Sequence, residues 1–179
     1  MNSKFSILAM LILSMSACVE FEPVSLVPAI TYKSFAVENG FDSLQNEVSF
    51  ARLEFEFIDG DADFGVYLED LNNPNLPDSL RFNFIIEVYD KIEGIYVPKT
   101  FFNTIENRID TLVLQQGITY DPKLDRVGQN KTVKGIIKSN IQISNTRYLL
   151  DTFRLQFYIR DRALHRSNTE ITPDYFIEQ

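Results

Sequence analysis

The sequence predicts an all-β protein, an antiparallel two-sheet β-sandwich, on three observations. The first is alternation. Leu53, Phe55 and Phe57 share one face of a run whose other face is Glu54 and Glu56. Phe153, Leu155, Phe157 and Ile159 alternate in the same way with Arg154, Gln156, Tyr158 and Arg160. A period of two marks a strand with one buried face. The second observation is that no segment sustains a 3.6-residue apolar period, so no long helix is expected. The third is number: about seven strands of this kind suffice for two sheets closing on a common core.

In chain order, residues 1–17 carry one base, Lys4, then the apolar run Phe5–Leu13, then the small residues Ser14, Ser16 and Ala17. A short positive start, an apolar core of about 7–15 residues and a small-residue cleavage site describe a secretory signal peptide. The run is shorter than the roughly 20 apolar residues of a membrane span. Cys18, the single cysteine, follows directly. Residues 18–28 form a tether that Pro23 and Pro28 keep partly extended. Strands are then expected at 29–37, closed by Asn39-Gly40, and at 47–58. The next, at 80–89, has Leu80, Phe82, Phe84, Ile86 and Val88 on one face, with Ile85 interrupting the polar one. It turns at 90–94 into a return over 95–102, and further strands are expected at 109–114, 132–144, 151–159 and near 170–172. Residues 59–79, 117–131 and 161–168 are the longer connections. The domain is thus 29–179.

A length of 179 residues is enough for one domain with a real core. Aromatic residues make up 13 %, without tryptophan, and Gly and Pro are not enriched, which sets disorder aside. A formal charge of -8 argues against nucleic acid, whose phosphates such a surface repels. Cations, sugars and basic protein surfaces are all compatible with it.

Chemistry concentrates where the strand 47–58 runs out. Asp59, Asp61 and Asp63 stand at alternate positions with small residues between them. A curled loop turns three such carboxylates toward one point, and calcium takes six to eight oxygens from carboxylates and backbone carbonyls. Gly60 and Gly65 permit the turn. Further ligands would come from Glu69, Asp70 or Asp161. The loop is not an EF-hand: counted from Asp59, Phe64 stands where that loop needs Gly, Asp70 stands in place of the final Glu, and a strand enters. The competing reading is three solvated aspartates making turn hydrogen bonds to their own backbone.

Other candidates carry less. His165 is the only histidine, so a His-based transition-metal site is not expected, and a loop hydrogen bond explains it better than a base acting on Ser167. Outward-facing Tyr89, Tyr96, Tyr148 and Tyr158 could form a sugar-stacking platform or simple cross-strand pairs. Paired carboxylates of the glycosidase kind leave no mark in sequence.

Three stretches resemble known families. Met15-Ser16-Ala17-Cys18 resembles a bacterial lipobox, with Met15 where Leu is usual; this implies that Cys18 becomes the lipidated first residue. Asp161-Arg-Ala-Leu-His-Arg-Ser-Asn168 resembles the D-x-A-G-N-x-S turn joining the last two strands of many bacterial immunoglobulin-like or fibronectin type III-like domains. Leu164 and His165 replace the common Gly and Asn there. The mature chain also resembles a group of small uncharacterised lipoproteins of Bacteroidota. Their marks are D-G-D-G-D-x-G, G-Q-N-K and D-R-A-L-H-x-S-N, here Asp59–Gly65 with Ala62 for the second Gly, Gly128–Lys131 and Asp161–Asn168.

The resemblance implies an immunoglobulin-like, fibronectin type III-like sandwich whose loops 59–79, 117–131 and 161–168 share one pole, facing away from the tether. The expected function is a non-catalytic lipoprotein of the cell envelope. It would be anchored in the outer membrane, on the periplasmic or the surface face, and act as a binding or structural module with a calcium-braced loop. The alternatives are a carbohydrate-binding accessory of an outer-membrane uptake complex and, further off, an envelope hydrolase. The protein or glycan partner is not specified by the sequence.

Overall fold

The computed structural model describes residues 24–122, 131–143 and 152–176; Cys18, Tyr148 and residues 128–130 lie outside them. The strands are β1 (Ala29–Phe41), β2 (Glu47–Asp59), β3 (Phe84–Ile92), β4 (Ile95–Pro98), β5 (Thr100–Asn103), β6 (Arg108–Thr111), β7 (Val113–Gln116), β8 (Val133–Ile143), β9 (Thr152–Ile159), β10 (Glu170–Ile171) and β11 (Tyr175–Phe176). Two helical turns, α1 (Leu68–Leu71) and α2 (Asp78–Arg81), interrupt the connection from β2 to β3. One sheet has the order β1-β2-β8 and the other β10-β9-β3-β4, with β7 also pairing β3 and β11 pairing β9; β5 and β6 form a separate hairpin. All strand pairs are antiparallel.

The core lies between the two sheets. Ala51, Leu53, Phe55 and Phe57 of β2 face Phe84, Ile86 and Val88 of β3 and Phe153, Leu155, Phe157 and Ile159 of β9, all buried. The Phe55 ring is 5.1 Å from that of Phe84 and 5.2 Å from that of Phe157. Each buried Phe or Leu contributes about 1.5–3 kcal/mol. On the solvent face of the first sheet, Lys33–Glu56, Arg52–Glu38 and Lys138–Glu54 pair across strands. Those half-exposed ion pairs contribute at most about 1 kcal/mol each. The apolar face therefore decides the fold, and the charged face sets only its exposure.

Several boundaries differ from the expectation, each for a local reason. β1 continues through Asn39-Gly40 to Phe41, because the turn is made further on by Asp42, whose Oδ1 accepts from the amides of Leu44 and Asn46. β3 starts at Phe84 rather than Leu80: after Pro77 the chain makes the helical turn α2, closed by Phe82 N donating to Asp78 O at 2.8 Å. The return strand ends at Pro98, and residues 100–103 leave the sheet to pair with β6. The stretch 109–114 likewise divides around buried Leu112 into β6 and β7. β11 lies beyond the last expected strand. Eleven strands thus stand among the described residues, where about seven were expected. Ile85, the apolar residue on the polar face of β3, sits opposite Tyr158 of β9, and both are buried.

The register also fixes which loops meet. Asp59 at the end of β2 lies opposite Val133 at the start of β8, and Phe84 at the start of β3 lies opposite Ile159 at the end of β9. The connections after β2, before β8 and after β9 therefore share one pole. Ala29, the first residue of β1, lies opposite Ile58. The tether consequently enters at this same pole, not at the far one: antiparallel pairing of β1 with β2 leaves no other choice.

Candidate metal centre at the loop pole

The alternation of β2 does not stop at Phe57. The next inward position is Asp59, and it is fully buried. Its Oδ2 accepts from the Phe64 amide at 2.9 Å, and its Oδ1 has no hydrogen-bond partner. The loop then folds back. A Cβ at Gly60 would strike the carbonyl oxygens of Val24 and Ser25 in the tether, so the loop passes directly under the chain's entry. Ala62 takes a positive φ of 60°. Gly65 has φ +99°, and a Cβ there would lie 2.7 Å from Tyr120 Cα, so both the conformation and the contact require glycine. Phe64 between them is buried, its ring 4.7 Å from that of Phe57. The loop is thus pinned to the core at both ends.

This curl brings Asp59, Asp61 and Asp63 together, with one carboxylate oxygen from each within 4.8 Å of the others. The Oδ1 atoms of all three are buried and lack hydrogen-bond partners. Burial, then the charges of Asp61 and Asp63, push the Asp59 carboxyl up to about 7. Burial first, then the charges of Asp161 and Asp61, also raise Asp63. Leaving one such group unsatisfied costs about 1–3 kcal/mol. A group of three could hold a metal ion, which would satisfy the orphaned oxygens and offset the mutual repulsion together. Carboxylate oxygens without imidazole or thiolate suit a hard cation.

The loop after β9 closes over this group. Asp63 Oδ2 accepts from the Ala163 amide at 3.1 Å, and Arg162 N donates to Asp63 O at 3.3 Å. The Arg162 guanidinium donates to the carbonyls of Phe64 and Gly65 and lies over the rings of Tyr67 and Tyr120. Asp161 lies outside the group of three and is engaged in its own turn. Its Oδ1 accepts from His165 N at 2.7 Å and its Oδ2 lies 2.8 Å from His165 Nδ1. It shapes its own turn beside the three aspartates rather than joining them. Leu164, where Gly is common in such turns, takes the left-handed conformation with φ 68°. Glu69 and Asp70 also lie outside the group of three, on α1. Asp70 lines a cavity of about 270 Å³ with Val66, Tyr67, Leu80, Arg162 and Leu164.

Among the described residues, Tyr89, Tyr96 and Tyr158 do not form an open platform. Tyr158 is buried under Arg166, 3.7 Å from its ring centre, and Arg154 covers Tyr96 at 3.4 Å. Tyr89 donates to Glu87. Two asparagines that sequence reading passed over hold the pole together. Buried Asn83 accepts from Ile118 N at 2.7 Å and donates to Ile118 O. Asn168 likewise accepts from Ile30 N at 2.8 Å and donates to Ile30 O at 2.9 Å. Each side chain mimics a strand neighbour to one residue of a distant segment, a pairing no local pattern announces. Comparison of the chain with family models, curated proteins and solved structures finds no match.

Proposed function

We propose that the chain is a lipid-anchored, non-catalytic protein of the bacterial outer membrane that acts as a binding or structural module, its loop pole braced by calcium. One observation carries the calcium reading: Asp59, Asp61 and Asp63 each bring a carboxylate oxygen within 4.8 Å of the others, and each keeps a buried Oδ1 without a hydrogen-bond partner. Exported proteins meet abundant calcium, and a turn-forming aspartate in solvent would not leave such oxygens orphaned.

Location rests on the sequence of residues 1–18, with Cys18 as the acylated residue. The fibronectin type III-like reading draws support from strand order. The first, second and eighth strands share one sheet, and the third, fourth, ninth and tenth share the other, as that sandwich would arrange them. The family-like motifs at 59–65 and 161–168 also touch, through Asp63 and Ala163. A carbohydrate-binding role draws no support from Tyr96 and Tyr158, whose faces are taken by arginines.

Calorimetric titration of the soluble domain lacking residues 1–18 tests the calcium reading. Heat of binding and a rise in melting temperature at millimolar calcium are expected; neither appearing would end it. Intact mass of the membrane-extracted protein tests the anchor through the acyl chains on Cys18.

A further inference from the structure

We infer that the loop pole rests on the bilayer that holds the anchor, its apolar loop tips at headgroup depth. The inference builds on the proposed acylation of Cys18 and adds an orientation that the anchor alone does not supply. Chain length is the first argument. From Cys18 to Val24 the chain spans at most about 22 Å, at roughly 3.6 Å per residue. Val24 and Ser25 lie on Gly60, beside the aspartates. The pole therefore stays within that reach of the membrane. The far pole, with Phe41 and Leu44, lies at the other end of the 13-residue β1, about 40 Å away.

The second argument is what the near pole presents. Leu26, Val27, Tyr67, Leu68, Leu80 and Leu164 are exposed there, on the tether, the β2–β3 connection with its two helical turns, and the loop after β9. Leu68 is 64 % exposed and Leu26 57 %. Side chains of this kind on a polar rim partition into the boundary between headgroups and acyl chains. The far pole is apolar too, with Phe41, Leu44, Ile92 and Ile95 exposed, but it lies beyond the tether's reach, so it cannot take the near pole's place at the bilayer. A divalent ion among Asp59, Asp61 and Asp63 offsets two of their three charges, which lowers repulsion from lipid phosphates.

The test uses the full-length lipidated protein, purified from membranes and reconstituted in millimolar calcium. The vesicles are phosphatidylethanolamine with a minor share of phosphatidylglycerol, brominated high on the acyl chains. The chain has no tryptophan, so Leu68→Trp, Leu164→Trp and Leu44→Trp each introduce a single fluorophore at an exposed site. Loss of emission at 68 and 164, with none at 44, is expected. Acylated protein that keeps full emission at 68 and 164, or loses as much at 44, overturns the orientation alone. An unmodified Cys18 by mass overturns the anchor reading, and the inference with it.

Discussion

Asp63 and Ala163 are joined by a hydrogen bond from the Ala163 amide to Asp63 Oδ2 at 3.1 Å. It ties the acidic loop after β2 to the turn after β9, and so links two loops that belong to different sheets. The same carboxylate keeps its other oxygen buried and unpartnered, and it lies in one group with Asp59 and Asp61. One aspartate therefore fastens the pole and faces the candidate ion at once, which makes the site sensitive to changes in either loop.

Asp61→Asn is expected to abolish the calcium-induced rise in melting temperature while leaving the fold in place, since Asp61 is only partly buried. Asp59→Asn is expected to abolish it too, but with opposite effect in chelator. There it relieves a buried charge facing two others, and the amide oxygen still accepts from Phe64. Above about pH 7, where the Asp59 carboxyl is charged, its stability without calcium should rise by about 1–3 kcal/mol. Denaturant melts of both variants, with calcium and with chelator, check the pair; equal calcium shifts in wild type and variants would remove the ion from this loop.

The pH dependence of the chelated protein follows from Asp59. Its carboxyl has an ordinary value of 3.8 and about 7 in the fold. Between those values the folded state binds more proton than the unfolded one, so unfolding free energy falls as pH rises. Stability from this group is fully present below about pH 4 and lost as pH passes about 7. Millimolar calcium should flatten that decline, because the ion takes over the proton's role. Thermal melts across the pH range in chelator check the sign: stability that climbs from pH 4 to 7 would count against a strained, buried Asp59.

Leu164→Gly is expected to stabilise the protein by about 1 kcal/mol, the cost of holding a branched residue in the left-handed region. Leu164 is 46 % exposed, so little packing is lost in exchange. A melting temperature several degrees above wild type checks this; no rise would show that the leucine contacts outweigh the backbone strain.

Asn168→Ala is expected to cost about 2 kcal/mol, since it strips partners from the amide and carbonyl of Ile30. Because Ile30 opens β1, the loss should also loosen the strand where the tether joins it. Amide exchange at residues 29–32 reads this locally, and protection equal to wild type would argue against a clamp.

The sheets were legible because each long strand has one face against the core. Residues 53–57 and 153–159 show this without any neighbour to consult, and their alternation holds through β2 and through β9 as far as Phe157, after which outward Tyr158 is buried too. The interval from 98 to 113 was not, because it alternates while exchanging partners, from β3 to β6 and back to β3. At the site, the phase of β2 already places Asp59 inward with Leu53 and Phe55, although the residue type argues for solvent. Asp161 stands outside the group of three for the opposite reason. Its partner is His165, four residues away, and a local turn bond competes successfully with a long-range ligand role. Asn83 and Asn168 act through contacts 35 and 138 residues distant, beyond any periodicity.

The position of the tether has a mechanical consequence. The chain enters at the pole of Ala29, and its last described strand, β11, pairs with Phe153 and Thr152 at the start of β9, near the opposite end. A pull between the two runs along the strands, at right angles to the ladder hydrogen bonds. The β1–β2 ladder, paired from Ala29 to Phe41, then resists in shear with its bonds loaded together rather than unzipped one at a time. With the Asn168 clamp on Ile30 at the loaded end, the fold is arranged to bear tension between its entry at Ala29 and β11.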